Sequence, residues 1–507
     1  MPHDPIASPT RSLGEAREPA FHHPEQEAAA ARRIEAFRGR SRRKRPNVLY
    51  VLMDDVGWGD FGCYGGGVAV GAPTPRIDRL AAGGMRLTSC YSEPSCTPSR
   101  ASLLTGRLPM RHGLQRPPMY GERGGLAGEV TLAQILSEAG YATHAVGKWH
   151  LGENEASQPH VVGFDEFYGF LSVSDMYTEW RDPYFFPEIV YSEERTRWIQ
   201  NLPFNKCFVH GKRGGALENV EEVTIPVLSL LDDKWAAWSV DWIRSMKDDP
   251  RPWFLYHCTR GAHFDNYPHE RFLGKSPARH PYKDTLLELD DIVGRLVDVL
   301  RETGQLEDTI IFVSSDNGPE METWPDAAYS PFRCAKGSTW EGGQRVPGIL
   351  SWPGTIEPGR ASDGIFAQMD LFPTILELAG AGDRIPSDRF VDGVDQRSFL
   401  LADDDGHSNR KYLYYWLGKE FSALRVGEYK MMLASISDDD RDVHNPGGFT
   451  GSLKKYPYGR LYNLWLDPKE TRSYLIRKLA YLDALQNGIR DHVRTFAKYP
   501  PKSIVGL

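Results

Sequence analysis

Short apolar runs that stop abruptly at acidic residues or glycines set the rhythm of this chain. The run Asn-Val-Leu-Tyr-Val-Leu-Met over 47–53 is almost unbroken and ends in Asp54-Asp55, with glycines scattered over 57–67 behind it. Continuous apolarity of that length predicts a strand buried on both faces, followed by a functional loop. Thr74-Pro75 then reads as an N-cap with proline in the first turn. Ile77, Leu80 and Ala81 give that helix its apolar face, and Gly83-Gly84 end it. A second strand over 85–92 completes a β-α-β opening. The alternation continues with a helix over 131–139 closed by Gly140, strands over 141–146 and 253–256, and a strand over 309–314. Between the last two, Leu286, Leu289, Ile292, Val293, Leu296 and Leu300 share one face of a helix over 283–302. Such alternation predicts an α/β fold with a mainly parallel sheet covered on both faces.

Beyond about residue 400 the pattern shortens. Asp403-Asp404-Asp405-Gly406 reads as a linker, and strand-like pieces over 412–416, 421–426 and 430–433 precede a final helix over 472–496. The expected organisation is a polar, flexible arm over 1–46, a large domain over 47–402, and a smaller α+β domain with a short antiparallel sheet over 403–507. The arm carries eight basic residues between Arg32 and Arg45. They read as a solvated lead into the first strand, ahead of a site for an anionic partner.

Composition narrows the function classes. Of 507 residues, 40% are hydrophobic and 25% charged, the balance of a soluble globular protein. A net charge of −8 leaves no whole-protein basic field for nucleic acid. No run of 18 apolar residues predicts a membrane span, and residues 1–46 lack the apolar stretch of a secretory signal, so a cytoplasmic location is the default expectation. Six cysteines are too few for a disulfide framework.

Two acidic pairs, Asp54-Asp55 and Asp316-Asn317, follow the carboxyl ends of two predicted buried strands. Ligands of open α/β sheets bind at those ends. Three carboxylates and an amide oxygen form a hard set suited to Ca²⁺ or Mg²⁺. Either pair alone reads as a turn or helix cap; together they favour a metal. A third feature is Cys96-Thr-Pro-Ser-Arg100, followed by Ala-Ser-Leu-Leu-Thr-Gly106. Pro98 fits a first helical turn and Gly106 a C-terminal stop, so Cys96 falls at a helix N-terminus. Backbone N–H groups and Arg100 would there attract an anion. A buried structural thiol and a dipole-activated thiolate are the competing readings.

These residues resemble the sulfatases, of the arylsulfatase A-like branch. In that family Cys-x-Pro-x-Arg-Ala-Ser-Leu-Leu-Thr-Gly is the signature read by the enzyme that oxidises the cysteine to Cα-formylglycine. Gly147-Lys148-Trp149-His150-Leu151-Gly152, the segments 47–58 and 315–318, the segment 336–347 (Lys-Gly-Ser-Thr-Trp-Glu-Gly-Gly-Gln-Arg-Val-Pro) and the segment 461–468 resemble further family motifs in the same order. The resemblance spans about 46–470. It implies an alkaline phosphatase-like α/β/α sandwich and hydrolysis of a small-molecule sulfate monoester, with aryl sulfates expected. It also implies Ca²⁺ (or Mg²⁺) on Asp54, Asp55, Asp316, Asn317 and the modified Cys96. Arg100, Lys148, His150 and Lys336 follow as catalytic residues. His263 follows by position only, since its Gly-Ala-His-Phe segment departs from the usual pattern and His257 and His269 lie nearby. Ser174 aligns near the expected sulfate. The loop over 172–214, rich in Trp, Tyr and Phe, is expected to line the pocket.

Two alternatives remain at this level. A formylglycine-dependent phosphonate hydrolase would tend to carry Gln at 55 and His at 317, so Asp55 and Asn317 favour the sulfatase. A non-catalytic binding protein on the same fold would be expected to have lost some of Cys96, Arg100, Lys148 and His150, all of which are present.

Overall fold

Strand β1 (Asn47–Met53) is buried at every position, as its unbroken apolar run requires. Alternate side chains feed different layers: Val48, Tyr50 and Leu52 enter one core, Leu49, Val51 and Met53 the other. The computed structural model describes residues 3–118, 122, 124–183, 186–322, 329–403, 406–436 and 448–502.

The strands that follow are β2 (Met85–Tyr91), β3 (Ala142–Lys148), β4 (Glu166–Phe170), β5 (Cys207–Lys212), β6 (Glu218–Glu222) and β7 (Trp253–Cys258). After them come β8 (Thr309–Ser315), β9 (Arg345–Ser351), β10 (Arg360–Ser362) and β11 (Phe366–Ala367). They form one sheet in the order β10-β2-β9-β8-β1-β7-β3-β4-β5-β6, with β11 beside β2. The block β8-β1-β7-β3-β4 is parallel throughout. Helices Pro75–Ala82, Ile225–Ser245 and Pro281–Glu302 pack on one face, and Cys96–Thr105, Leu132–Glu138 and Leu371–Leu378 on the other. The expected α/β/α sandwich is therefore present.

Strands β12 (Tyr412–Leu417), β13 (Glu420–Val426), β14 (Tyr429–Ile436) and β15 (Leu453–Asn463) form an antiparallel four-stranded sheet, backed by the helix Leu482–Lys498. That helix starts later than its apolar pattern suggests. The Asp467 carboxylate accepts from the backbone N–H groups of Thr471 and Arg472, which holds the chain in a turn there.

The leading segment departs from expectation. Pro24–Arg40 is a helix, and Phe37 at its end is buried edge-on against Trp352. Its arginines anchor it rather than solvate it. Arg33 donates to the Thr355 carbonyl at 3.1 Å, and Arg40 to the Thr355 hydroxyl at 2.5 Å. Beyond the helix, Arg43 donates to the Met246 carbonyl at 2.7 Å. Upstream, Glu18 is buried and accepts from the Tyr414 hydroxyl at 3.1 Å. So residues read as a free arm are folded onto both sheets. Of the expected linker, Asp403 pairs with Arg33 at 2.7 Å, while Asp404 and Asp405 lie outside the described residues. Among the described residues no helix is long and apolar enough to cross a membrane.

Candidate active site

Strand direction decides which side chains can meet. β2 is antiparallel to β9, which is antiparallel to β8, so β2 runs with the parallel block. The carboxyl ends of β1, β2, β3, β4, β7 and β8 therefore share one edge. Asp54-Asp55 leave β1 there, Asp316-Asn317 leave β8, Lys148 ends β3 with His150 just beyond, and His263 follows β7. β2 leads into the buried helix Cys96–Thr105. Lys336 arrives in the loop before β9, whose opposite sense puts its amino end at the same edge.

Around this edge each cation meets a carboxylate. Lys148 Nζ lies 2.5 Å from Asp54 Oδ2, and Lys336 Nζ lies 2.9 Å from Asp55 Oδ2. Arg100 grips Asp316 Oδ2 through Nε at 3.0 Å and Nη2 at 2.8 Å, and its Nη1 donates to the Lys148 carbonyl. Asn317 Nδ2 donates to Asp55 Oδ1 at 2.6 Å, and His263 Nε2 stands 3.7 Å from Asp55 Oδ2. Asp55 and His150 adopt left-handed backbone with φ of 59° and 57°, a conformation non-glycine residues rarely hold and one that turns both side chains inward. All ten expected site residues are brought together. Of the competing histidines, His257 turns away to Ser239 at 2.8 Å, and the His269 backbone N–H donates to Glu288 Oε2 at 3.0 Å.

Cys96 is the first residue of its helix and is 2% exposed. Its Sγ lies 3.1 Å from His150 Nδ1, and the neighbouring Thr97 hydroxyl donates to the His150 carbonyl, fixing that turn. Burial pushes the thiol up to about 11, outweighing the pull of Lys148 and Lys336. As a plain thiol it is therefore protonated at neutral pH and a weak nucleophile. Burial, with Lys148 and Arg100 adding to it, holds the His150 imidazole neutral, and burial with Lys336 pushes His263 down to about 4 against the pull of Asp55. Lys336 stays an ammonium: burial opposes its charge, but Asp55 more than restores it.

A cavity of about 380 Å³ opens directly above Cys96, His150, His263 and Lys336. Its walls carry residues the sequence did not single out, among them Asp175, Glu320, Glu322, Phe264 and Phe449. Only position after a strand could have flagged the first three. From the aromatic-rich loop over 172–214, the described lining is Val173 and Asp175. Tyr177, Trp180 and Phe204 are core residues instead, Tyr191 and Trp198 are exposed, and Tyr184 and Phe185 lie outside the described residues. The described aromatic walls of the cavity, Phe264 and Phe449, lie outside that loop. Ser174 sits between Val173 and Asp175 with its hydroxyl buried and, among the described residues, unpartnered.

Glu341, in the segment that carries Lys336, was also unread. It accepts from the Tyr91 hydroxyl at 2.6 Å, the Tyr415 hydroxyl at 3.2 Å and Lys430 Nζ at 3.1 Å. Lys430 reaches Glu470 at 2.8 Å and the Thr339 carbonyl at 2.8 Å as well. This buried knot joins the Lys336 loop to the four-stranded sheet.

The residues fit a divalent cation. Among the described residues, Asp54 Oδ1 and Asn317 Oδ1 are buried without a hydrogen-bond partner, with Arg100 Nη2 still 3.9 Å from Asp54 Oδ1, a costly state that a bound cation would relieve. Ligand atoms of Asp54, Asp55 and His263 also come within 4.8 Å of one another. With Asp55 and Asp316 the donor set is mostly carboxylate and amide oxygen, the chemistry of a hard ion.

Comparison with known proteins gives the family. The Sulfatase family model matches residues 46–381, and the model for the C-terminal domain of the sulfatase AslA matches 422–497. The chain belongs to the sulfatase family. This sulfatase is 33% identical to N-acetylgalactosamine-6-sulfatase of Canis lupus familiaris, over 90% of the chain and 87% of that protein. Arylsulfatase A of Homo sapiens is 35% identical, over 85% and 83%. The crystal structure of the PsFucS1 sulfatase from Pseudoalteromonas sp. superposes with a TM-score of 0.92 at 40% identity, covering 98% of this sulfatase and 99% of that chain. The phosphonate monoester hydrolase of Agrobacterium radiobacter, at 18% identity and a TM-score of 0.54, shares the fold. The chain is thus a sulfuric ester hydrolase.

Proposed function

We propose that this sulfatase hydrolyses sulfate monoesters, aryl sulfates among them, with Cys96 converted to Cα-formylglycine and Ca²⁺ held by Asp54, Asp55, Asp316 and Asn317. The observation that carries the reading is the placement of residue 96. It lines the cavity, within the field of Lys148 and Lys336 and one helical turn before Arg100, in a site where its own thiol is inert.

The formylglycine hydrate would supply a geminal diol, one hydroxyl to attack sulfur and one to expel sulfate. A bound divalent ion would supply polarisation of the sulfuryl oxygens. The chain's own groups do the rest. Three cations against three carboxylates leave the protein site near neutral, so a dication makes it net positive toward an anionic ester. Arg100 and Lys148, braced by Asp316 and Asp54, stabilise charge growing on the sulfuryl oxygens without reorganising. Neutral His150 faces residue 96 through Nδ1 and can accept a proton from a hydroxyl there. Lys336, an ammonium at the cavity wall, protonates the departing oxygen. His263 stands beside it, oriented by an Nδ1 hydrogen bond to the Phe264 carbonyl. Phe264 and Phe449 provide the apolar wall that an aryl group contacts.

The test is turnover of p-nitrophenyl sulfate against bis-p-nitrophenyl phosphate, by protein whose Cys96 conversion is measured by mass spectrometry. Sulfate release proportional to conversion, with the phosphodiester cleaved more slowly, is expected. Preference for the phosphodiester would transfer the reading to the phosphonate-hydrolase class, against which Asp55 and Asn317 stand.

A further inference from the structure

Of the active-site cations Arg100, Lys148 and Lys336, Lys336 lines the cavity, and three acidic residues, Asp175, Glu320 and Glu322, line it too. Arg116, the other described cation of the lining, is already held by Glu122 at 2.6 Å. Lys336 is held mainly by Asp55 at 2.9 Å, with Glu320 Oε2 farther off at 4.0 Å. Among the described residues Asp175 Oδ1 is buried with no hydrogen-bond partner, so one acceptor waits near His263 for a donor. Glu320 and Glu322 are fixed rather than free to swing away. Glu320 Oε1 accepts from the Glu322 backbone N–H at 2.8 Å, and Glu322 Oε1 accepts from the Thr450 hydroxyl at 2.7 Å and its N–H at 3.0 Å.

We infer that Asp175, Glu320 and Glu322 select the alcohol half of the ester: a polyol carrying a single sulfate, whose free hydroxyls donate to these carboxylates and whose second anionic group they repel. The inference rests on the sulfate-ester reading above. Carboxylates accept hydrogen bonds from hydroxyls and cannot donate any when ionised; burial pushes Glu320 up to about 7 against the pull of Lys336, so the selectivity is read above that pH. A second sulfate on the substrate brings like charges together in a space partly screened from water, where repulsion is strong. Phe264 and Phe449 offer the apolar faces that a sugar ring's C–H groups lie against. A flat monosulfated aryl group fits the same space without engaging the carboxylates.

The experiment uses the full chain and a panel of methyl hexopyranoside monosulfates covering every ring position, the matching disulfates, and p-nitrophenyl sulfate as the common reference. Ratios of kcat/KM within one preparation cancel the fraction of Cys96 converted. The best monosulfate should exceed its disulfates by at least about tenfold, the size expected of one uncompensated close charge. Glu320→Gln combined with Glu322→Gln should shrink that ratio severalfold. Asp175→Asn should lower the best monosulfate relative to p-nitrophenyl sulfate. A monosulfate-to-disulfate ratio within threefold of one, or a ratio the double variant leaves unchanged, overturns the inference. So does turnover of p-nitrophenyl sulfate with no sugar sulfate cleaved, while the sulfatase reading stands. No turnover of any sulfate by converted protein overturns both.

Discussion

Replacing Lys430 with methionine removes a buried ammonium while keeping its bulk. Its charge holds the knot between the Lys336 loop and the four-stranded sheet. Burial works to raise the Glu341 carboxyl, and Lys430 with Arg345 and Arg425 overcomes it, holding Glu341 at about 2. A fall from 4.5 to about 2 is worth about 3 kcal/mol of folded-state stabilisation, the scale known for breaking a buried ion pair. Glu470 shares the ammonium but faces Glu341, and burial pushes it up to about 7 despite Lys430. The pH signs follow. Glu341 sits below its unfolded value, so its contribution is complete above about 4.5 and is lost only as pH falls toward 2. Glu470 sits above its unfolded value, so stability falls as pH rises from about 4.5 to 7 and is level beyond. Without Lys430 both carboxyls move upward and must ionise unpaired at high pH. Urea unfolding of wild type and Lys430→Met at pH 5, 7 and 9, followed by tryptophan fluorescence, should therefore show a gap of about 3 kcal/mol at pH 9 that narrows toward pH 5. A gap that is the same at all three values, or below about 1 kcal/mol throughout, would refute the assignment of Lys430 as the charge that stabilises Glu341.

Four further outcomes are expected. Asp316→Ala strips Arg100 of its partner and the proposed ion of a ligand, so bound metal by elemental analysis and sulfate release should vanish together; full activity in metal-free protein would contradict the site. Across preparations, specific activity should rise in proportion to the fraction of Cys96 converted, Cys96→Ala should be inactive, and Cys96→Ser should fold but release sulfate at most once. Lys336→Met should lower kcat/KM on an alkyl sulfate by about 10²–10³, with a smaller loss on an aryl sulfate whose leaving group needs less protonation. Phe37→Ala, at 1% exposure against Trp352, should cost about 3–5 kcal/mol in thermal unfolding; a change under 1 kcal/mol would mean that the leading helix is not docked in solution.

The parts of this protein that the sequence disclosed are those where one local pattern carries the whole constraint. Asp54-Asp55 and Asp316-Asn317 directly follow unbroken apolar strands, so their shared edge could be anticipated before any contact was known. Cys96, Lys148 and His150 stand in dense motifs. His263 lies in a loose one and was reached by its place after β7. The leading helix was missed because its arginines looked solvated. They bind carbonyls far along the chain, and no periodicity encodes that. The loop over 172–214 reaches the cavity as expected, but through Val173 and Asp175, while the described lining aromatics are Phe264 and Phe449; aromatic residues serve a core and a pocket equally well. Asp175, Glu320 and Glu322 gain meaning only from the residues facing them across the cavity.

β9 lies between β2 and β8, so the sheet cannot close around the Cys96 helix until residue 351 is in place. That is about 250 residues after the cysteine itself. At about 5–20 residues per second of synthesis, the thiol stays outside a finished fold for about 13–50 seconds. Once β9 is inserted, residue 96 is 2% exposed at the base of a helix buried along its length. An enzyme that must grip the surrounding segment in extended form then has nothing to hold. If Cys96 is converted as proposed, that conversion is a race between a modifying enzyme and the arrival of one strand. Slower translation downstream of residue 96 would favour the modifier, and protein that has already folded would be committed to the state in which it closed.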